Sequence, residues 1–214
     1  MEAKLVLSLV SSYLIGSIPF TQILARWVKG IDLRQVGSRN VGGRNLSRQL
    51  GVAWGLLGGA LDVAKGAAAL WLAEVLGVDY PERLLNGMAV VAGHNWPVWL
   101  RFHGGKGLLA ALGAISYIVF PEGFWSFVVG MAILLPTRNI LYTSTAGFAS
   151  MLVVAARQNR PAEIVYFIIA TWGVVFLASL PDVIKTLRTP GALKAYLHEP
   201  DAVYRQSTQK RKKP

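Results

Sequence analysis

The chain has 214 residues, 53% hydrophobic and 15% charged, with mean hydropathy +0.43. Soluble chains carry about 25% charged residues, so this composition excludes an ordinary soluble domain, and the absence of cysteine excludes disulfides, thiolate metal sites and a cysteine nucleophile. A net charge of +11 suits nucleic acid or a membrane; the charges fall between apolar runs rather than along one soluble face, which selects the membrane and sets nucleic acid aside.

A helical crossing needs about 20 apolar residues. By that measure the sequence predicts an all-α integral membrane protein with about seven transmembrane helices. The first span, 4–25, lies in the run that holds "SLVSSYLIGSIPFTQILARWV", residues 8–28. It is too long for a signal peptide and lacks a small-x-small cleavage site, so it is expected to remain as a helix.

The connection that follows, 26–50, carries Arg26, Lys29, Arg34, Arg39, Arg44 and Arg48. Within "VGSRNVGGRNLSRQLG", residues 36–51, glycines alternate with Ser38, Asn40, Asn45 and three arginines. This is a dense set of donors for phosphate oxygens, which the planar guanidinium fork matches. Arg44 and Arg48 share a face if the segment after Gly43 is helical. Arginines that merely meet lipid headgroups explain the charge but not the Ser, Asn and Gly among it.

The second span, 52–75, contains "LDVAKG". Charges inside a membrane are costly and usually paired, and Asp62 and Lys65, at i,i+3, can pair on one face. The expectation is a structural ion pair supporting the loops, since no second carboxylate continues a proton relay.

The third span, 84–101, leads into "GHNWPVWLRFHGGKG", residues 93–107. Two readings of Gly104-Gly105-Lys106-Gly107 stand side by side. Glycines can turn backbone N–H groups inward around a lysine to form an anion-binding nest, or the segment is a flexible loop that carries a lysine. His94 is either a site residue or a hydrogen-bonded structural histidine, and His103 is read as an interfacial loop residue.

The fourth and fifth spans, 107–120 and 123–137, are short and expected to be tilted, packed inside the bundle or only partly crossing. Spans at 140–156 and 163–181 complete the set. Residues 1–181 then form a helical membrane domain with cytoplasmic loops at 26–50 and 101–107, and 182–214 a basic cytoplasmic tail. Its end, "QKRKKP", suits the anionic leaflet.

Placing the basic connections and tail in the cytoplasm puts 17 of the 22 Lys and Arg there, with the N-terminus outside and the C-terminus inside. Arg157 and Arg160 dissent. No G-x-S-x-G elbow, H-E-x-x-H or Walker pattern is present, and no histidine has an aspartate five positions later. Few carboxylates accompany the basic loops, so no metal site is indicated.

These residues resemble the bacterial acyl-phosphate:glycerol-3-phosphate acyltransferase family, small seven-span enzymes of phospholipid synthesis. The likeness runs through "YLIGSIPF", "GSRNVGGRNLSRQLG", "DVAKG" and "GHNWPVWLRFHGGKGLLAALG", over roughly residues 10–115. The family reads G-S-G-N-x-G-A-x-N-x-x-R and G-H-x-x-P-x-x-x-x-F-x-G-G-K-G-V-A-T. The resemblance implies that Ser38, Arg48 and Lys106 are catalytic phosphate ligands, supported by Asn45 and His94, with Gly104, Gly105 and Gly107 in the substrate-binding turn. It further implies acyl phosphate as donor, glycerol 3-phosphate as acceptor, lysophosphatidate as product, and neither metal nor cofactor. The setting implied is the bacterial inner membrane, for a monomer among lipids.

Four departures stand out. Arg39 occupies the second glycine of G-S-G-N, Gly43-Arg44-Asn45 replaces A-x-N, and Ala110 replaces the threonine. The C-terminal motif, normally R-H-R-x-N-I-x-R-L, reads "SLPDVIKTL" at 179–187, with Leu180 at the histidine and Val183 at the asparagine. That opens an alternative: a catalytically inactive or altered-specificity relative that binds phosphorylated lipid or regulates a synthase. An anion transporter ranks last, since only Asp62 and Lys65 suggest a polar path.

Overall fold

The computed structural model describes residues 2–137 and 139–188. Arg138 and the tail from residue 189 onward, with its "QKRKKP" end, lie outside the described residues. Those described form helices and connections, with no strand: α1 (Glu2–Ser17), α2 (Phe20–Lys29), α3 (Gly43–Leu50), α4 (Val52–Val75), α5 (Arg83–Asn95), α6 (Leu108–Ile118), α7 (Phe120–Thr137), α8 (Ile140–Arg157) and α9 (Ala162–Arg188). A short 3-10 turn, Val98–Leu100, lies between α5 and α6.

Helices overlie the expected apolar runs, with differences near the basic loops. The run expected at 4–25 is broken at Ile18 and Pro19, because proline has no N–H with which to continue the ladder. The loop expected over 26–50 narrows to 30–42. Residues 26–29 continue α2, and 43–50 form α3, which places Arg44 and Arg48 on one helix. Residues 182–188, expected in the tail, extend α9.

Among the described residues, four segments are long and apolar enough to cross a membrane: Ala3–Lys29, Val52–Val75, Phe120–Thr137 and Ala162–Ile184. The short helices are those of the third and fourth spans, α5 and α6, at 13 and 11 residues, whereas the fifth, expected to be short, is the 18-residue α7. A rise of about 1.5 Å per residue gives α5 and α6 roughly 20 and 17 Å, less than a ~30 Å hydrocarbon core.

Large apolar side chains such as Trp27, Leu135 and Tyr166 face outward, while small residues line the helix crossings. Gly16 against Val90 and Gly93 against Tyr13 bring α1 onto α5; Gly66 against Ala110 and Gly113 against Val63 bring α4 onto α6. A Cβ at any of these would overlap facing backbone. Lipid is as apolar as leucine, so close backbone packing replaces the hydrophobic drive between such helices.

Polar residues join the helices at depth. Ser12 Oγ donates to Asn86 Oδ1 at 2.9 Å, linking α1 to α5. At the end of the bundle opposite the basic loops, Arg160 Nε donates at 2.7 Å to Glu122 Oε1, whose side chain is fully buried. Arg160, a dissenter by charge, is therefore neutralised within the fold.

Candidate active site

The site begins at the break between α1 and α2. The last carbonyls of α1 lack intrahelical donors, and a cation at a helix C-terminus is favourable. Lys65 of α4 supplies it: Nζ donates at 2.8 Å to the Gly16 carbonyl and at 2.9 Å to that of Ile18. Asp62 Oδ1 lies 3.1 Å from Lys65 Nζ and 3.5 Å from His94 Nδ1. All three residues are buried. The i,i+3 pair thus forms as expected, and it also holds His94 and the helix break, two partners with no local sequence signal.

His94 leads to the glycine turn. Gly104 N–H donates to the Asn95 carbonyl and Gly105 N–H to that of His94, each at 3.1 Å. These two N–H groups cap α5 rather than facing inward as a nest, one of the two readings of the turn, would have them. A Cβ on Gly105 would overlap His94 Nε2 and come within 2.7 Å of the Val41 carbonyl. One on Gly104 would overlap the His94 carbonyl. Both glycines are required by packing. Gly107, at φ +75°, turns the chain into α6, so the unpaired N–H groups of that helix's first turn begin directly after Lys106. The anion-attracting backbone beside Lys106 is the N-terminus of α6.

Asn45, 1% exposed, organises the other loop. Its Nδ2 shares bonds of 3.1 Å with the carbonyls of Leu33, Val36 and Asn40, and Oδ1 accepts from Ser38 N–H at 3.3 Å. Ser38 is half-buried, and Arg48 is exposed on α3. Arg39, where the family pattern has glycine, sits at φ +59°. Arg34 Nη2 lies 2.6 Å from Asp32 Oδ2. That hydrogen bond holds the Asp32 carboxyl down at about 2, below the ordinary 3.8, against the opposing effect of burial.

The two loops are bonded to each other. Val41 N–H donates to the Gly104 carbonyl at 3.4 Å, and Arg34 Nη1 to that of Leu100 at 3.1 Å. Beneath them lies a narrow cleft whose lining includes Ser17, Thr21, Asp62, Lys65, His94 and Gly104. Ser17 Oγ is buried with no hydrogen-bond partner. Exposed His103 lies outside it, its Nδ1 2.6 Å from the Arg101 carbonyl. No cluster of three His, Cys, Asp or Glu placed to hold a metal occurs among the described residues.

Lys106 is 14% exposed and pairs at 2.8 Å with Oδ2 of Asp182, a half-exposed residue of α9. Sequence reasoning missed Asp182. It lies between Leu180 and Val183, and it is the one carboxylate of the 179–187 stretch.

The sequence pattern of the family described as "Glycerol-3-phosphate acyltransferase" matches residues 6–188. The chain belongs to the glycerol-3-phosphate acyltransferase family. It is 38% identical over 151 residues to glycerol-3-phosphate acyltransferase 2 of Dehalococcoides mccartyi, covering 70% of this chain and 71% of the relative. The crystal structure of PlsY, an integral membrane glycerol 3-phosphate acyltransferase, in its glycerol 3-phosphate form aligns with TM-score 0.79 and 30% identity, over 91% of this chain and 94% of that one. The lysophosphatidic acid form gives TM-score 0.77 and 27% identity over the same shares. As a member of this acyltransferase family the chain is a membrane enzyme of lipid synthesis, and the inactive-relative alternative is not favoured.

Proposed function

We propose that the chain transfers a fatty acyl group from acyl phosphate to glycerol 3-phosphate where residues 30–42 and 96–107 meet, giving lysophosphatidate and inorganic phosphate. The observation that carries this reading is the bond between the loops, Val41 N–H to the Gly104 carbonyl. It joins the segment bearing Ser38, which runs on into α3 with Arg48, to the turn bearing Lys106. Those three residues clamp substrate phosphate and stabilise charge developing at the acyl carbonyl. Asn45 fixes the backbone at Ser38, while His94 supports the turn of Gly104, Gly105 and Gly107.

The acceptor hydroxyl oxygen attacks the acyl carbonyl carbon, the single bond from that carbon to the bridging phosphate oxygen breaks, and inorganic phosphate leaves. A substrate phosphate, with second pKa about 6, takes the hydroxyl proton. Bringing both substrates together where the loops meet supplies proximity. No metal or cofactor enters the reaction.

In this reading α1 with α2, and α4 to α9, make seven crossings of a bacterial inner membrane, α5 and α6 spanning only part of its thickness. The N-terminus is outside, and the reacting loops and C-terminus are cytoplasmic, which suits the distribution of Lys and Arg. The enzyme acts as a monomer surrounded by lipid. The test is turnover by purified protein with glycerol 3-phosphate and either acyl phosphate or acyl-CoA. Lysophosphatidate from acyl phosphate alone is expected; product only from the thioester refutes the donor, and no product from well-folded protein refutes the reaction.

A further inference from the structure

Lys106 is partnered by a carboxylate at the position proposed for substrate phosphate. Its ammonium is largely enclosed, and Asp182 Oδ2 lies 2.8 Å from it. Asp182 is 49% exposed, so its side chain has open space to move into, whereas Lys106 at 14% has little. The preceding residue, Pro181, lies within α9. A proline removes one rung of the helical hydrogen-bond ladder just before the aspartate.

We infer that Asp182 is a resident anion that competes with phosphate for Lys106: it occupies the lysine when the site is empty, yields to the phosphate of a substrate, and returns as inorganic phosphate leaves. A phosphate carries nearly two charges and three acceptor oxygens, against one charge on the carboxylate. It can therefore displace Asp182, but binds less tightly than to an unopposed lysine. The carboxylate thus sets the affinity for phosphate, weakening substrate capture and easing product release. The inference rests on the reading of Lys106 as a phosphate ligand.

The test uses detergent-purified full chain titrated calorimetrically with inorganic phosphate. Asp182→Asn is expected to bind phosphate about two- to fivefold more tightly than wild type, the range for losing a half-exposed competing charge. Asp182→Glu should restore near-wild-type affinity, which a purely steric role does not predict. Asp182→Ser provides a second neutral side chain should the asparagine variant misfold. Lys106→Ala reports separately on the underlying reading. If it abolishes phosphate binding while neutral Asp182 variants bind no more tightly than wild type, competition is overturned and the aspartate merely positions the lysine. If Lys106→Ala retains wild-type binding, Lys106 is no phosphate ligand and the inference falls with it.

Discussion

The Lys65 ammonium lies 2.8 Å from the Gly16 carbonyl oxygen, tying α4 to the break between α1 and α2. Replacing Lys65 with Met removes this tie and leaves Asp62 buried without its cation. Breaking a buried pair costs about 3–5 kcal/mol, because the remaining charge is uncompensated. Thermal unfolding in detergent should show Lys65→Met strongly destabilised and Asp62→Asn/Lys65→Met less so. Equal stability of Lys65→Met and wild type would remove the ion pair from the account.

Gly105→Ala should be nearly as damaging to turnover as Lys106→Ala, though for a different reason. The added methyl overlaps His94 and crowds the Val41 carbonyl, so it separates the two loops. Overpacking of this kind costs about 1–3 kcal/mol. Initial rates with both substrates measure the effect. Full activity in Gly105→Ala would mean that the loops need not touch.

The apolar runs were legible because lipid imposes length and composition on each crossing. The i,i+3 spacing of Asp62 and Lys65 likewise announced their pairing. His94, Gly16 and Ile18 join that pair from other helices, at separations no periodicity reveals. The glycine turn stayed open between a nest and a flexible loop, because it is tertiary position that brings its N–H groups to the end of α5. Arg160 looked anomalous by charge counting because Glu122, its partner, lies 38 residues away. Asp182 stayed hidden for the same reason: nothing near Lys106 in sequence points to α9.

Arg39 occupies a left-handed backbone position, φ +59°, where the family pattern has glycine. A non-glycine residue in that region costs about 1–2 kcal/mol, which glycine's greater chain entropy partly offsets. Arg39→Gly should therefore leave stability unchanged or raise it by up to about 1 kcal/mol, whereas branched Arg39→Val should lower it by a similar amount or more. Paired unfolding curves decide it. A valine variant as stable as the glycine variant would contradict the conformational argument.

Asp32 gives the loop over 30–42 a pH dependence. The Arg34 hydrogen bond lowers its carboxyl from 3.8 to about 2. A depressed carboxylate contributes stability above its unfolded pKa and loses it as pH falls through the folded value, so the window runs from about pH 4 down to about pH 2. For a pair partly open to water the contribution is about 1 kcal/mol. Asp32→Asn should be less stable than wild type by that amount at neutral pH, with the difference vanishing toward pH 2. Unfolding measured across that range checks it; a constant difference at every pH would contradict the assignment.

The most direct measurement of the central claim, that the joined loops form one phosphate-handling acyl-transfer site, is the initial rate of lysophosphatidate formation by wild type, Arg48→Ala and Lys106→Ala. The reaction mixture contains acyl phosphate and glycerol 3-phosphate. Removing one positioned donor to developing charge costs about 100-fold or more in rate, so wild type should turn over and each variant should fall by that order while remaining folded. Variants from both loops that keep rates within about twofold of wild type would contradict the account, since a change that small is under 0.5 kcal/mol of transition-state stabilisation.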